Sequence, residues 1–207
     1  MGLISNGTTL FDSGSLDASV ATGSLTHIKT LTASDSSTLS FVNGASSVVL
    51  DNTYKEYVFK FYDIHPSHSG TRFQFNGSID TGSNYNVTKQ TSMFIAANRE
   101  TATDNTLTYQ ADDDLGNSTA FQDLAGFGNA NDDNDASLSG TLQLFDIANT
   151  TFVKHFIART VMYHASDEAE DCFTAGYFNT RSAIDEIQFK MSSDDIDAGD
   201  ICLYGIN

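Results

Sequence analysis

Apolar and polar side chains alternate with a period of two residues along most of the chain after residue 25, and this pattern restricts the fold more than any other feature. Successive side chains of a β-strand point to opposite faces, so the alternation is typical of strands with one buried face. Ile187, Phe189 and Met191, for example, are separated by single polar residues. Short runs rich in β-branched and aromatic residues predict twelve strands, over 26–32, 38–42, 46–50, 54–64, 71–77, 87–97, 106–110, 140–147, 152–163, 172–178, 184–191 and 201–206.

The predicted strand over 152–163 departs from simple alternation, because apolar residues fall on both of its faces. Val153 and Ile157 belong to one face, whereas Phe156 and Ala158 belong to the other. We interpret this slippage as a β-bulge, in which one extra residue shifts the phase of the strand.

Strands do not alternate with long amphipathic helices, which favours an antiparallel sandwich or barrel. Two packed sheets bury two apolar faces, and 15 Phe and 8 Tyr supply the side chains for them. One short helix is predicted over 118–126, because Ser118 can cap its start and Gly126 can end it. The predicted fold class is therefore all-β, an antiparallel two-sheet β-sandwich with an extended N-terminal arm and one short helix.

The predicted domain organisation is an N-terminal arm over 1–25 followed by a single β-sandwich domain over 26–207. The arm is rich in Gly, Ser, Thr and Asp, and isolated apolar residues interrupt it. Such residues have no use in a free tail, so we expect them to dock either on a partner protein or on the sandwich itself. The candidate partner contacts are Ile4, Leu10, Phe11, Leu16 and Val20.

The chain is strongly acidic, with 27 Asp and Glu against 10 Lys and Arg, a formal net charge of −17. Such a chain repels phosphate groups, so we expect it to bind neither nucleic acid nor anionic membranes. No run of 18 apolar residues is present, and Met1–Gly7 lacks the basic and apolar regions of a signal peptide. We therefore expect reduced cysteines, and Cys172 and Cys202 are most simply two small buried apolar side chains.

Metal sites are not predicted, although two segments have suitable side chains. The acidic loop over 129–135 offers oxygen ligands for Ca²⁺, but it lacks the Gly and Glu positions of an EF-hand. Weak Ca²⁺ binding and a solvated acidic loop both stay open there. His65 and His68 lie near Asp63 in a predicted turn. A zinc site normally needs three or four protein ligands, and the sequence does not bring that many together at this turn.

Catalytic motifs are also missing from the sequence. It has no G-x-S-x-G elbow and no glycine-rich phosphate loop, and its many carboxylates form no distinctive pair. We predict no enzyme activity, no catalytic residue and no cofactor. A sugar-binding face would need exposed aromatic rings, for which the candidates, in a chain without Trp, are Tyr54, Tyr85, Tyr109 and Tyr163.

The C-terminal segment over 182–206 has the pattern S-A-I-x-x-I-x-F-x-x-S-x-x-x-I-x-x-G-x-I-x-L-Y-G-I. Together with the segments over 57–66, 152–156 and 175–178, it resembles jelly-roll virion structural proteins of tailed phages, most of all short proteins of marine cyanophages. The resemblance covers about residues 25–207. At the last turn this chain has Asp194-Asp195, where that family usually has Gly-Asn.

The resemblance implies a structural protein of the virion, assembled in the host cytoplasm, and it carries no catalytic residues with it. Our first hypothesis is a decoration, or cement, protein of the capsid, because the chain is short and has no fibre shaft. Its partner would then be the major capsid protein, and the resemblance implies a homotrimer. The alternatives are a tail fibre, adaptor or receptor-binding module that recognises a host glycan and, from another class, a secreted carbohydrate-active enzyme or carbohydrate-binding module.

Overall fold

The computed structural model describes residues 3–5, 8–12, 15–16, 24–101, 105–125 and 130–206. Fifteen β-strands lie in these segments, and no helix does. The strands are β1 (Leu3–Ser5), β2 (Thr8–Asp12), β3 (Ser15–Leu16), β4 (Leu25–Thr32), β5 (Leu39–Val42), β6 (Glu56–Pro66), β7 (Phe73–Ser78), β8 (Lys89–Arg99), β9 (Asn105–Tyr109), β10 (Gln122–Asp123), β11 (Leu138–Phe145), β12 (Lys154–His164), β13 (Glu168–Phe178), β14 (Glu186–Met191) and β15 (Ile196–Ile206).

Eight of these strands form a hairpin that is rolled into two sheets. The first pairs with the last (β4 with β15), the second with the seventh (β5 with β14), the third with the sixth (β6 with β11) and the fourth with the fifth (β7 with β10), all antiparallel. Along the chain the members alternate between a sheet ordered β4-β15-β6-β11 and one ordered β10-β7-β14-β5, except that β7 and β10 are neighbours in the second sheet. This is the jelly-roll arrangement, and it confirms the predicted antiparallel two-sheet β-sandwich.

Two inserted hairpins enlarge the first sheet. The β8–β9 hairpin lies between β7 and β10 in sequence, and the β12–β13 hairpin lies between β11 and β14. Both add to the free side of β11, so that the larger sheet has eight strands in the order β4-β15-β6-β11-β12-β13-β8-β9. The sheet therefore extends four strands beyond its jelly-roll half.

The core between the two sheets is built from phenylalanine rings. Phe189 on β14 is fully buried at its centre, with its ring centroid 5.1 Å from that of Phe59 and 5.3 Å from that of Phe61. Most of these rings meet edge to face, the arrangement that the aromatic quadrupole favours. The rings in contact with Phe189 come from both sheets and are those of Phe41, Phe59, Phe61, Phe73 and Phe75.

The predicted helix over 118–126 is wrong. The described part of this segment is extended: Ser118 forms a β-bridge with Lys89, and β10 pairs with β7. The amide of Leu124 donates to the carbonyl oxygen of Phe73 at 2.8 Å. Backbone groups that a helix would satisfy internally are therefore satisfied by the neighbouring strands, so tertiary pairing overrides the weak local preference.

The strand predicted over 46–50 is also absent. Ser46 and Ser47 have φ angles of +50° and +67°, which a strand does not accommodate, and they form a turn. The amide of Leu50 donates to Oδ1 of Asn43 at 2.9 Å instead of to a strand. The segment buries its apolar side chains as a loop. The eleven other predicted strands are confirmed, with ends that differ by a few residues.

The predicted bulge in the strand over 152–163 is wrong as well. The strand begins at Lys154, and it pairs in unbroken register with β11 and with β13. Its side chains alternate regularly between buried and more exposed positions, so Phe156 and Ala158 face the core while Ile157 faces outward. Both faces of this strand carry apolar side chains, so the sequence pattern arises without a shift of phase.

Truncating the central ring should destabilise the sandwich strongly. We expect Phe189→Ala to lower the free energy of unfolding by about 3–5 kcal/mol, because it leaves a cavity in a closely packed core. The matched control is Phe152→Ala, at a ring that is 68% exposed, where a change within about 0.5 kcal/mol is expected. Urea unfolding of both variants measures the difference, and equal losses would contradict this description of the core.

Candidate functional site

The most distinctive surface is the outer side of β11, β12, β13, β8 and β9, which we call the outer face. On β12 the even-numbered residues face the core, and Phe156 and Ala158 are buried there. Ile157, Arg159 and Val161 alternate with them and are exposed. The same alternation places the odd-numbered residues of β13 and the even-numbered residues of β8 on the outer face.

A row of aromatic side chains crosses the middle of the outer face. Strand register places Arg159, Phe173, Phe94 and Tyr109 side by side on β12, β13, β8 and β9. The Phe94 and Phe173 rings stack in parallel, with centroids 4.6 Å apart and planes inclined by 5°. The guanidinium carbon of Arg159 lies 4.8 Å from the centroid of Phe173. The sheet sets the spacing of the row, and its rings are oriented by the Phe94–Phe173 stack and by the hydrogen bond from the Tyr109 hydroxyl to Asp114.

The outer face has no net formal charge, although the whole chain has −17. Within these five fully described strands, the only outward-facing Asp, Glu, Lys or Arg residues are Arg159 and Asp171. They form a bidentate pair, with Nε to Oδ1 at 3.0 Å and Nη2 to Oδ2 at 2.6 Å. Few charges, several aromatic rings and an arginine are typical of the centre of a protein–protein interface.

Two adjoining depressions lie at one end of the outer face and share Phe145 and His155. One has a volume of about 440 Å³, and the other of about 580 Å³. The first is lined by Gln90, Ile157 and Tyr177, among others. The second also includes Asp146, Asn149, Phe152 and Arg181.

The loop that presents Phe152 is fixed by Asn149. Oδ1 of Asn149 accepts hydrogen bonds from the amides of Thr151 at 2.7 Å and Phe152 at 2.9 Å. Its Nδ2 donates to Oδ2 of Asp146 at 2.8 Å. This bond and a contact with Lys55 lower the pKa of Asp146. The exposed ring of Phe152 is thus held on an ordered turn.

Lys89 is the most unusual titratable group of the interior. Its side chain is fully buried, and Nζ donates to Oδ1 of Asn76 at 2.6 Å and to the carbonyl oxygen of Val87 at 3.0 Å. Burial lowers its pKa from 10.5 to about 7. An amine enclosed in this way has no route to a substrate, so its contacts hold strands together and do not suggest catalysis.

A second buried polar group fixes the connection before β10. Arg72 lies 3.2 Å from a carboxylate oxygen of Asp113 and 3.2 Å from one of Asp123. Nε2 of Gln74 donates to Asp123 at 2.5 Å. Burial raises the pKa of Asp123 to about 6 despite these partners. The group joins this connection to β7.

The two segments whose side chains could in principle bind a metal approach each other, but their described residues form no complete ligand set. Nδ1 of His65 lies 3.2 Å from Oδ2 of Asp197, and Nε2 lies 3.2 Å from the carbonyl oxygen of Asp133 in the acidic loop. His68 is exposed. Asn129 lies outside the described residues, and within the described ones no group of three or more His, Cys, Asp or Glu could hold a metal ion.

The cysteines are far apart on one sheet. Cys172 is buried on β13 and Cys202 is half-buried on β15, and neither forms a disulfide. Three strands separate β13 from β15 in the sheet, so the two cannot form a disulfide within the chain. Sγ of Cys202 lies 3.2 Å from Oγ1 of Thr30.

The N-terminal candidates fall in a small separate sheet ordered β1-β2-β3. Ile4 lies on β1 opposite Thr9 and is exposed. The backbones of Leu10 and Phe11 belong to β2 and that of Leu16 to β3, while Val20 lies outside the described residues. The segment is therefore folded on itself over its described part.

Sequence reasoning missed the outer face, although the sequence contains a signal for it. Within residues 156–162, apolar side chains occur at both even- and odd-numbered positions, a pattern typical of strands that are covered on both sides. The structure covers only one of these sides. The other therefore stands as a surface that is suited to contact with another protein.

Comparison with known proteins finds no matching family model, no matching curated protein and no matching solved structure. The resemblance of the C-terminal strands to virion proteins therefore stays a prediction. No described helix is long and apolar enough to cross a membrane.

Lys89 should make stability depend on pH. Its pKa is about 7 in the folded chain and about 10.4 in an unfolded chain, so between these values the unfolded state binds more protons. Stability therefore increases as pH rises from 7 to 10, with a slope approaching 1.4 kcal/mol per pH unit at most.

The measurement is urea unfolding of the wild type and Lys89→Met at pH 7, 8 and 9. We expect the stability difference between the two to change by about 1 kcal/mol or more per pH unit in favour of the wild type. Lys55→Met, at an exposed lysine, is the matched control, and its free energy of unfolding should change with pH in parallel with that of the wild type. Parallel curves for all three proteins would contradict the buried-amine interpretation.

Proposed function

We propose that this protein is a structural protein of a phage virion and decorates the head by binding the major capsid protein. The observation that carries the proposal is the aromatic outer face of the jelly-roll sandwich, which has no net formal charge and is typical of a chain that assembles with other protein chains. Such a surface is suited to contact with other proteins and has no arrangement for turning over a small molecule. The resemblance over 182–206 supports the same reading, since that segment forms the central strands β14 and β15.

In this proposal the N-terminal segment makes the capsid contact. Its apolar residues attach the sandwich to the head, and many copies on a regular lattice add avidity. The acidic remainder of the chain keeps free copies soluble and repels nucleic acid. The contact residues proposed are Ile4, Leu10, Phe11, Leu16 and Val20.

Copy number distinguishes a head protein from a tail protein. A decoration protein follows the symmetry of the capsid, so we expect on the order of hundreds of copies per virion. Densitometry of purified particles, scaled to the major capsid protein, measures this number. A few dozen copies or fewer would exclude head decoration and favour a tail position.

Removing the N-terminal segment should abolish loading. Because β4 begins at Leu25, deletion of residues 1–23 leaves every strand of the sandwich intact. We expect the shortened chain to keep its thermal midpoint but to be absent from particles recovered after incubation with undecorated heads. The matched control is the full chain. Normal loading of the shortened chain would remove this segment from the mechanism.

A second candidate function is recognition of a host glycan by a tail module, and the two adjoining depressions favour it. Tyr177, His155 and Phe152 offer ring faces for sugars, and Asn149 and Arg181 offer polar groups beside them. A carbohydrate-binding module outside a virion would use the same depressions.

Glycan binding is tested with Tyr177→Ala and a glycan array. If the depressions bind sugar, we expect any positive glycan to lose about tenfold in affinity, equivalent to about 1.4 kcal/mol. The control is Tyr109→Ala, at a ring on the same sheet but outside both depressions. Equal loss in both variants, or no glycan bound, would reject this second candidate.

A further inference from the structure

Exposed apolar side chains are concentrated on the outer face. Ten large apolar side chains are exposed among the described residues, and five of them lie on this face. Ile157 and Val161 are each 51% exposed, although they sit near the middle of an eight-stranded sheet. The five are Phe94, Leu107, Tyr109, Ile157 and Val161. These side chains surround the Arg159–Asp171 pair, and an exposed face with this many large apolar side chains is typical of a contact site.

The charge on the outer face indicates which partner fits. Arg159 and Asp171 neutralise each other, so the five strands of the face offer no unpaired charge to a partner. The nearest carboxylates at its rim, those of Asp114 and Asp167, accept hydrogen bonds from the hydroxyls of Tyr109 and Tyr163. The rest of the chain is strongly negative, and two copies repel each other over most of their surfaces. Two copies meet with least repulsion where this charge is missing.

We propose that the outer face packs against the outer face of a second copy of this chain. The inference goes beyond the proposed virion role and does not rest on it. Sheets stack face to face about 10 Å apart with their strands inclined by about 30°. The stacked rings of Phe94 and Phe173 lie in the middle of the contact, where interface anchors are found.

The size of the outer face suits such a contact. Five strands about 4.8 Å apart and on average about nine residues long cover about 24 Å by 30 Å, or roughly 700 Å². A stable interface buries about 800 Å² on each partner. The face therefore provides most of a standard interface by itself, with loops at its rim supplying the remainder.

Contact between two identical faces gives two-fold symmetry, because one patch serves both copies. The geometry thus favours a dimer, whereas the family resemblance implies a homotrimer. Both assemblies are distinguishable by mass, since one is twice and the other three times the chain mass of 22.4 kDa.

The test is sedimentation equilibrium of the full chain at about 100 µM in low salt and in about 0.5 M NaCl. We expect a dimer whose dissociation constant falls as salt rises, because salt screens the repulsion between the two acidic copies. A contact held by opposite charges would weaken instead.

The variant is Ile157→Glu, which places two unpaired charges in the contact and should weaken dimerisation by at least about tenfold. Ile79→Glu is the matched control, because Ile79 is 42% exposed and lies beyond the end of β7 on the smaller sheet. Circular dichroism checks that both variants keep the wild-type fold. Deletion of residues 1–23 should leave the dimer intact, so loss of capsid loading and loss of dimerisation are separate results.

The proposal is overturned by a wild-type monomer under both salt conditions, or by equal effects of the two Glu substitutions. It is also overturned by an assembly of any size that Ile157→Glu leaves unchanged. A trimer would reject the two-fold arrangement, because a trimer requires two different patches on each copy.

Discussion

The structure depends on the nested pairing of strands that are far apart in sequence. β4 pairs with β15, so residues near both ends of the sandwich domain must meet before either sheet is complete. The contact between Leu31 and Ile201 spans most of the chain. Closing such long loops costs entropy that is recovered only when the apolar faces join. The ring of Phe189 touches rings from both sheets, so packing at this point and closure of the two sheets depend on each other.

Extension of one sheet explains why the molecule has an exposed apolar face. The smaller sheet has four strands and the larger has eight, so the smaller sheet matches only half of the larger one. Loops cover the inner side of the extension, where Met93, Ile95 and Cys172 form a small buried cluster. Its outer side has no matching layer within the described residues. The two inserted hairpins thus create the candidate interface, and the jelly roll holds it rigid.

The sequence was sufficient to predict most strands, because the period of two is a direct consequence of backbone geometry. It was insufficient where one strand carried two apolar faces. At Phe156 and Ile157, burial in the core and display on the surface give the same local pattern, and a bulge explained it equally well. The helix prediction over 118–126 failed for another reason. Its helix signals were local, whereas its hydrogen bonds are made to Phe73 and Lys89, distant partners that a single sequence does not reveal.

The candidate site was harder to predict than the fold, because it is defined by the absence of charge at particular positions. The amino-acid composition gives a formal net charge of −17 but does not show how the charges are distributed over the surface. The structure places acids together at the ends of the sandwich, where a hydrogen bond with Asp197 and its negative charge raise the pKa of Asp35.

Crowding acids at these positions has a free-energy cost, because like charges repel. The outer face, in contrast, keeps its single acid, Asp171, paired with Arg159. A random distribution of 27 acids over 207 residues would place about three on the 22 outward-facing positions of these five strands, where the structure has one. Their concentration elsewhere keeps the outer face compatible with burial, while the same charges limit the approach of copies in any other orientation.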